Sequence, residues 1–459
     1  MIERSEELFE GLAEQAAPPA AGRGLPRLRR PVRNQKSWES LTLDELLAPD
    51  HRARAVWLFV ERLDLSALHS KVKAIEGGPG QPAADPQVLL SLWLYATLEQ
   101  VGSARALARL CREHHGFRWL CGGVRVNHHL LADFRVAHPE ALDGLLTQSF
   151  AALLHAGVAE LERVAQDGVR VRASAGAASF RRRRTLEECE QAAVAEVARL
   201  RAAGAGEASA MTLRRRKALE RAAREREARV AAALAALALL EARRSSAAAE
   251  PPSDAPPSIG PEGKGKKPPP PPRASTTDAQ ARVMKMADGG FRPAFNVQFA
   301  SDASSQLIAA VSIGNVGSDQ GQLAPMVEQL AQRYQRRPAE MLVDGGYTKL
   351  ADIEAVSASG QTTVYAPVTT PRDPTRDPHL PRPGDPPAVA AWRARMAEPA
   401  AKQIYKDRAA TAECVNAQAR NRGLLRFLVR GLDKAKAVAL MHALTHNCLR
   451  SLNLYCATT

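Results

Sequence analysis

ERVAQDGVRVRAS, residues 162–174, is where the chain changes its period. Val169 and Val171 alternate with Arg170 and Arg172, the spacing of two that a strand requires. Residues 41–157 before it repeat at helical spacing instead. There LTLDELLA opens on Thr42 as a cap, ADPQVLLSLWLYATLEQ follows Asp85 and Pro86, and SARALARLCREH begins at Ser103. Residues 41–157 therefore read as an all-helical domain, and a sheet begins at 162–174.

Downstream, FRPAFNVQFASD and SQLIAAVSIGN read as two strands of a hairpin separated by Asp302, and QGQLAPMVEQLAQRYQ as an amphipathic helix. PAEMLVDGGYTKLADIEAVSASG gives a short buried strand ending at Asp344, a glycine turn and a helix. TTVYAPV is a further strand. After the Pro-rich stretch 370–388 the chain returns to helix through AVAAWRARMAEPAAKQIYKDRAATAECVNAQARNR, and GLDKAKAVALMHALTHNCLRSLNL reads as a strongly amphipathic closing helix. Two segments interrupt the sheet. Residues 181–248 are rich in Ala, Leu, Glu and Arg and predict two long helices folded back near glycines 204–206; a solvated coiled-coil spacer and a DNA clamp both fit them. Residues 249–273, ending KGKKPPPPPR, are too proline-rich to pack and predict a linker.

The 459 residues carry 63 Lys+Arg against 49 Asp+Glu, a net charge of +14, which favours a polyanionic partner and makes nucleic acid the leading one. The longest apolar run, VAAALAALALL at 230–240, is too short to span a bilayer, so no membrane is expected. Six scattered cysteines without a CxxC pair fit a reducing compartment, and MIERSEELFE has no export pattern; the cytoplasm is expected. RGLPRLRRPVRNQK lies in a basic arm, residues 1–40, whose Arg29, Arg30 and Arg33 fit either a DNA backbone or a solvated tail. Helix 103–113, a loop and helix 128–135 form a helix-turn-helix-like pair, which would bring His129 and Arg135 to DNA. His114, His115, His128 and His129, with Cys111 and Cys121, are badly spaced for a metal and read as structural or capping groups.

With the insertions set aside, the order is strand with Asp167, two-strand hairpin, helix, strand with Asp344, helix, strand, helix with Glu413. That is the order of an RNase H-like fold, here an α/β catalytic domain with a mixed sheet flanked by helices, made of residues 158–180 and 274–459. Taken singly, Asp167 and Asp344 would be turn aspartates before glycine. Glu413, however, falls among Ala409, Ala412, Val415 and Ala419 and is expected to face inward. Three converging carboxylates repel and need a cation. Hard oxygen ligands suit Mg²⁺ or Mn²⁺, and two ions about 4 Å apart would stabilise the attacking and leaving oxygens of phosphoryl transfer.

GQPAADPQVLLSLWLYATLEQVGSARALARLCREHHGFRWLCGG resembles the N-terminal domain of insertion-sequence transposases. AQDGVRVRASAG, ARVMKMADGGFRPAFNVQFASD, SDQGQLAPMVEQL, MLVDGGYTKLADIE and IYKDRAATAECVNA resemble, in order, the catalytic domain of bacterial DDE transposases. The resemblance implies Asp167, Asp344 and Glu413 as the metal-binding acids of a polynucleotidyl transferase. It implies terminal inverted repeats and target DNA as double-stranded partners, a homodimer in the synaptic complex, and a nucleoid-associated bacterial protein. The neighbours of Glu413 resemble a Tyr, Arg, Glu, Lys signature, implying that Tyr405 and Arg408 reach DNA phosphates. Two departures stand out: Arg420 occupies the lysine position, and the interval from Arg408 to Glu413 is one residue long. The rival readings are a DNA-binding protein that no longer cuts and a nuclease without strand transfer.

Overall fold

The computed structural model describes residues 34, 36, 40–75, 77–79, 81–202, 210–249, 270–371, 373 and 375–458. Arg29, Arg30 and Arg33, the glycine break and nearly all of the proline linker lie outside the described residues. Met1–Thr42 and Leu43–Thr459 are two compact units, and the elements below belong to the second.

Among the described residues, seven helices precede the sheet: α1 (Arg52–Glu61), α2 (Ser66–His69), α3 (Pro86–Leu98), α4 (Ala104–Glu113), α5 (His115–Cys121), α6 (His128–Ala137) and α7 (Pro139–His155). Three of the four expected caps lie where the sequence puts them; Thr42 caps no helix, because residues 43–46 form turns and the helix starts only at Arg52. Asp85 accepts the Gln87 N–H ahead of Pro86, Ser103 that of Ala106, and Asn127 that of Leu130. The expected loop between the helix-turn-helix-like pair is corrected: it contains α5, because Phe117, Leu120 and Cys121 are drawn into the core. His114 caps that helix, its Nδ1 accepting the Gly116 N–H at 3.2 Å, as a capping histidine should.

The first strand, β1 (Arg163–Arg172), buries Val169 and Val171. After β2 (Phe180–Arg181) come the two long helices α8 (Arg183–Ala202) and α9 (Ala210–Ala249). They are more than a solvated spacer: Leu186, Ala233 and Leu237 form a small core with Ala274 of β3 (Ala274–Ser275), which pairs with β2. Then follow β4 (Arg282–Lys285), β5 (Phe291–Asp302), β6 (Ile308–Gly314), α10 (Leu323–Tyr334), β7 (Glu340–Leu342), α11 (Leu350–Ser357) and β8 (Thr363–Tyr365). The main sheet runs β6–β5–β1–β7–β8. Strands β6, β5 and β1 pair antiparallel, β1, β7 and β8 parallel, and β4 takes the rest of β5's outer edge. The expected element order is present.

The continuous helix expected over 388–422 is broken twice. Pro399 starts a new helix after Glu398, since proline cannot donate into the preceding turn. This gives α12 (Pro387–Ala397) and α13 (Pro399–Arg408). A π-helical turn, Ala409–Glu413, then leads into α14 (Cys414–Asn421). The closing helix α15 (Leu432–Thr458) is not amphipathic along its middle. Ala435, Leu440, Met441, Leu444, Thr445, His446, Asn447 and Cys448 are all buried, because N-terminal helices cover one side and β6 the other. Asn447 is satisfied there by holding both the N–H and C=O of Ile308 at 2.8 Å. One core joins Trp93, Leu94 and Phe134 of the early helices to Val169, Phe295 and Phe427, so the helical block is packed directly on the sheet.

Candidate active site

The pairing of β1 with β7 brings the two aspartates together. Arg163 pairs with Glu340, an offset of 177 residues, and Val164 and Ala165 pair with Met341 and Leu342 at the same offset. Asp167 and Asp344 differ by the same 177 (344 − 167), so continuing this register by two residues sets them level on adjacent parallel strands. Neighbouring strands lie about 4.8 Å apart and in-register residues point to one face. Asp344 leaves β7 with extended backbone and caps the Gly345–Tyr347 turn through the Gly346 N–H, at 2.7 Å.

Asp167 sits in mid-strand rather than in a turn. Its Oδ1 accepts the Gly168 N–H at 2.8 Å and its Oδ2 accepts Asn416 Nδ2 at 3.0 Å. Arg408 Nη1 lies 3.6 Å from the same Oδ2. Burial pushes the Asp167 carboxyl above its ordinary range, and the charges of Asp344 and Asp319 add to the push; the Gly168 N–H and Arg408 oppose it. Burial is thus the main cost of ionising Asp167, and the neighbouring acids add to it.

Glu413 is the principal correction. Its side chain is 63% exposed and does not face inward. The π-turn explains this: the extra residue between Arg408 and Glu413 is absorbed by widening one turn, which buries Thr411 and Ala412 and swings Glu413 out. The widened turn also lets residues five apart meet, and Arg408 Nη2 donates to Glu413 Oε1 at 3.2 Å. Arg408 therefore links Asp167 to Glu413. Helix α13 is itself fixed by Arg163, which binds Glu340 of β7 and Asp407, each at 2.5 Å.

The other face of β1 was not read from the sequence. Gln166, Gly168 and Arg170 point into a buried polar layer with Asn296, Gln298 and Asp319. Asp319 Oδ1 accepts from Asn296 at 2.6 Å and Gln298 at 2.8 Å, and Arg170 pairs with Oδ2 at 3.2 Å. Gln298 Oε1 accepts from Gln166 and from the Tyr347 hydroxyl. Tyr347 belongs to the turn that Asp344 caps, so this layer ties that turn to β1.

Tyr405 is half-buried, with Arg408 6.0 Å from its ring centre, and burial pushes its phenol up. Arg420 is exposed on α14. His129 is exposed and stacks on His128 at 4.1 Å. Arg135 is turned inward, 4.8 Å from the Trp93 ring centre and donating to the Gly102 carbonyl.

Among the described residues, no three acidic, histidine or cysteine side chains stand close enough to hold a metal ion. The reason is visible at Asp167 and Glu413, where the Arg408 guanidinium occupies the position between the two acids. The donor chemistry itself, carboxylate oxygens, fits a hard divalent cation once Arg408 turns aside.

Asp167 and Asp344 thus stand on adjacent parallel strands of a mixed sheet, and Arg408 joins Asp167 to Glu413 of the π-turn. Two family models match the chain: "Transposase domain (DUF772)" over residues 41–137 and "Transposase DDE domain" over residues 386–452. Together they support a DDE transposase of insertion-sequence type, and the DDE match implies an RNase H-like fold and suggests a polynucleotidyl transferase or nuclease. No curated protein and no solved structure matches the chain. No helix among the described residues is long and apolar enough to cross a membrane.

Proposed function

We propose that this chain cuts DNA at the ends of a mobile element and joins the freed ends to target DNA, using Asp167, Asp344 and Glu413. The observation that carries this reading is the β1–β7 register, which sets Asp167 beside Asp344. The repulsion that Asp344 and Asp319 exert on Asp167 supports the same reading, since neighbouring carboxylates favour a cation among them.

Asp167 is oriented by Asn416, Asp344 by its turn, and Glu413 by Arg408. Arg408 neutralises the acids in the metal-free state. On DNA binding it moves to a phosphate, with Tyr405 and Arg420 holding the same backbone and Arg29, Arg30, Arg33 and His129 further contacts. One or two bound Mg²⁺ or Mn²⁺ ions supply Lewis-acid stabilisation of the attacking and leaving oxygens. A water attacks the phosphate at the element end, the freed 3′-hydroxyl attacks target DNA in line, and the protein forms no covalent bond to DNA. Holding two terminal inverted repeats together calls for a homodimer. The bacterial cytoplasm, at the nucleoid, is where such a protein works.

The test is cleavage of a labelled duplex carrying an element end, with Mg²⁺ or Mn²⁺, by the intact protein and by Asp344→Asn. Boundary cleavage and strand-transfer products that vanish in the variant, with end binding retained, are expected. Binding without cutting by either protein would overturn the reading, and cutting without joined products would reduce it to a nuclease.

A further inference from the structure

Where the inserted hairpin meets the sheet domain there is a cavity of about 240 Å³ that shares no lining residue with the carboxylate site. Its walls are built from distant parts of the chain. Arg226 and Arg229 come from α9, Cys189 from α8, Thr276 and Thr277 from the loop after β3, and Arg430 from the segment before α15.

The walls are fixed from behind. The Ser275 hydroxyl accepts the N–H groups of Thr277 and Asp278, both at 3.1 Å, and the Thr276 N–H binds the Ser179 carbonyl at 3.0 Å. Buried Asp278 accepts the Gly431 N–H at 3.1 Å, which pins Arg430 beside the threonines. On the far wall, the hairpin is held by the core of Leu186, Ala233, Leu237 and Ala274.

What these guanidinium groups lack is internal neutralisation. Arg229 has Glu225 at 3.8 Å, a loose pair along one helix turn. Glu196, the acid within range of Arg226, is already bound by both prongs of Arg199 at 2.7 and 2.8 Å. Among the described residues, no hydrogen bond or ion pair takes up Arg226 or Arg430, and both are exposed. Gathering three such cations at one cavity costs energy unless an anion sits among them. Planar guanidinium forks beside the Thr277 hydroxyl match the oxygens of a phosphate, while the Thr276 hydroxyl donates to the Ser179 carbonyl at 3.4 Å.

We propose that this cavity seats a backbone phosphate of DNA, making the inserted hairpin a DNA-holding element; the choice of DNA as the phosphate source rests on the transposase reading. Neutralising one phosphate of duplex DNA contributes about 0.9 to the slope of log affinity against log salt. The test uses the full-length protein and a labelled mixed-sequence duplex, titrated across a salt series. Arg226→Gln/Arg229→Gln/Arg430→Gln is compared with Arg214→Gln/Arg215→Gln/Lys217→Gln, an equal charge change on the same helix outside the cavity. The expected result is a slope reduced by about 0.9 in the first variant and by less than about 0.3 in the second, with unfolding midpoints matching wild type. A second readout is a disulfide-activated tether on one backbone phosphate, which should capture Cys189 and fail with Cys189→Ser. Wild type that binds, with equal slopes in both variants or no capture at Cys189, overturns this site alone. Wild type that fails to bind the duplex at low salt overturns the transposase reading with it.

Discussion

The two faces of strand β1 treat polar groups in opposite ways. On one face Asp167 meets Arg408 at 3.6 Å and Asn416 at 3.0 Å, and burial still pushes its carboxyl up. On the other, Gln166, Gly168 and Arg170 enter a layer in which Asp319 is bound by two amides and a guanidinium. The second face spends its polarity on itself and locks the strand in place. The first keeps a carboxylate that is costly to ionise, as a site does when its partner arrives from outside.

Substitutions on the two faces should therefore separate activity from stability. The largest effect belongs to the first face: Asp167→Asn and Asp344→Asn each lower end cleavage by at least about 10³-fold with DNA binding retained, read on a labelled duplex. Cleavage by either variant within tenfold of wild type would mean that the paired aspartates are structural. Gly168→Ala comes next and acts through the other face. A Cβ there would lie 2.5 Å from Gln298 Nε2, 2.6 Å from Asp319 Oδ1 and 2.8 Å from Asn296 Oδ1. Overpacking of this kind costs about 1–3 kcal/mol, and denaturant unfolding should show it. A neutral result would show that the polar layer yields easily and does not lock β1.

Much of this was legible in the sequence, and what was not has physical causes. Strand β1 could be read because Val169 and Val171 alternate with arginines, and the caps because Asp85, Ser103 and Asn127 precede apolar runs. The proximity of Asp167 and Asp344 followed from element order. Asn296 and Gln298 give no local sign of their role: between Phe295, Val297 and Phe299 they have the pattern of a strand's wet side, yet both are buried. Only long-range pairing with Asp319 makes that burial tolerable, and local pattern does not reveal it. Glu413 was misplaced because helical spacing was extended across a turn that is π. The one-residue excess between Arg408 and Glu413 was the available signal. Helix α15 looked amphipathic because its His446, Asn447 and Thr445 are polar, but each finds a partner inside.

Tyr347→Phe tests how far the two faces communicate. Removing the hydroxyl frees Gln298 Oε1 of one donor and leaves Gln166 as the other. The loss should be about 1 kcal/mol in stability, and cleavage should fall mainly through a raised Mg²⁺ requirement, because the turn carrying Asp344 is less firmly held. Unchanged metal dependence with lowered stability would confine Tyr347 to packing.

The smallest effect has the opposite sign. Because burial, Asp344 and Asp319 raise the Asp167 carboxyl above its unfolded value, the folded metal-free protein binds a proton there more readily than the unfolded chain does. Above that raised value the ionised carboxylate is a penalty on the fold, and as pH falls through it the penalty is relieved. Asp167→Asn, which cannot ionise, should therefore unfold later than wild type at neutral pH without divalent metal, by about 0.5 kcal/mol, and the gain should shrink as the pH enters the carboxylate range. Added Mg²⁺ should narrow the gap from the other side by stabilising wild type alone. A variant less stable than wild type at neutral pH would mean that the ion pair with Arg408 and the bond from Asn416 outweigh burial, and that Asp167 belongs, like Asp319, to the face that satisfies itself.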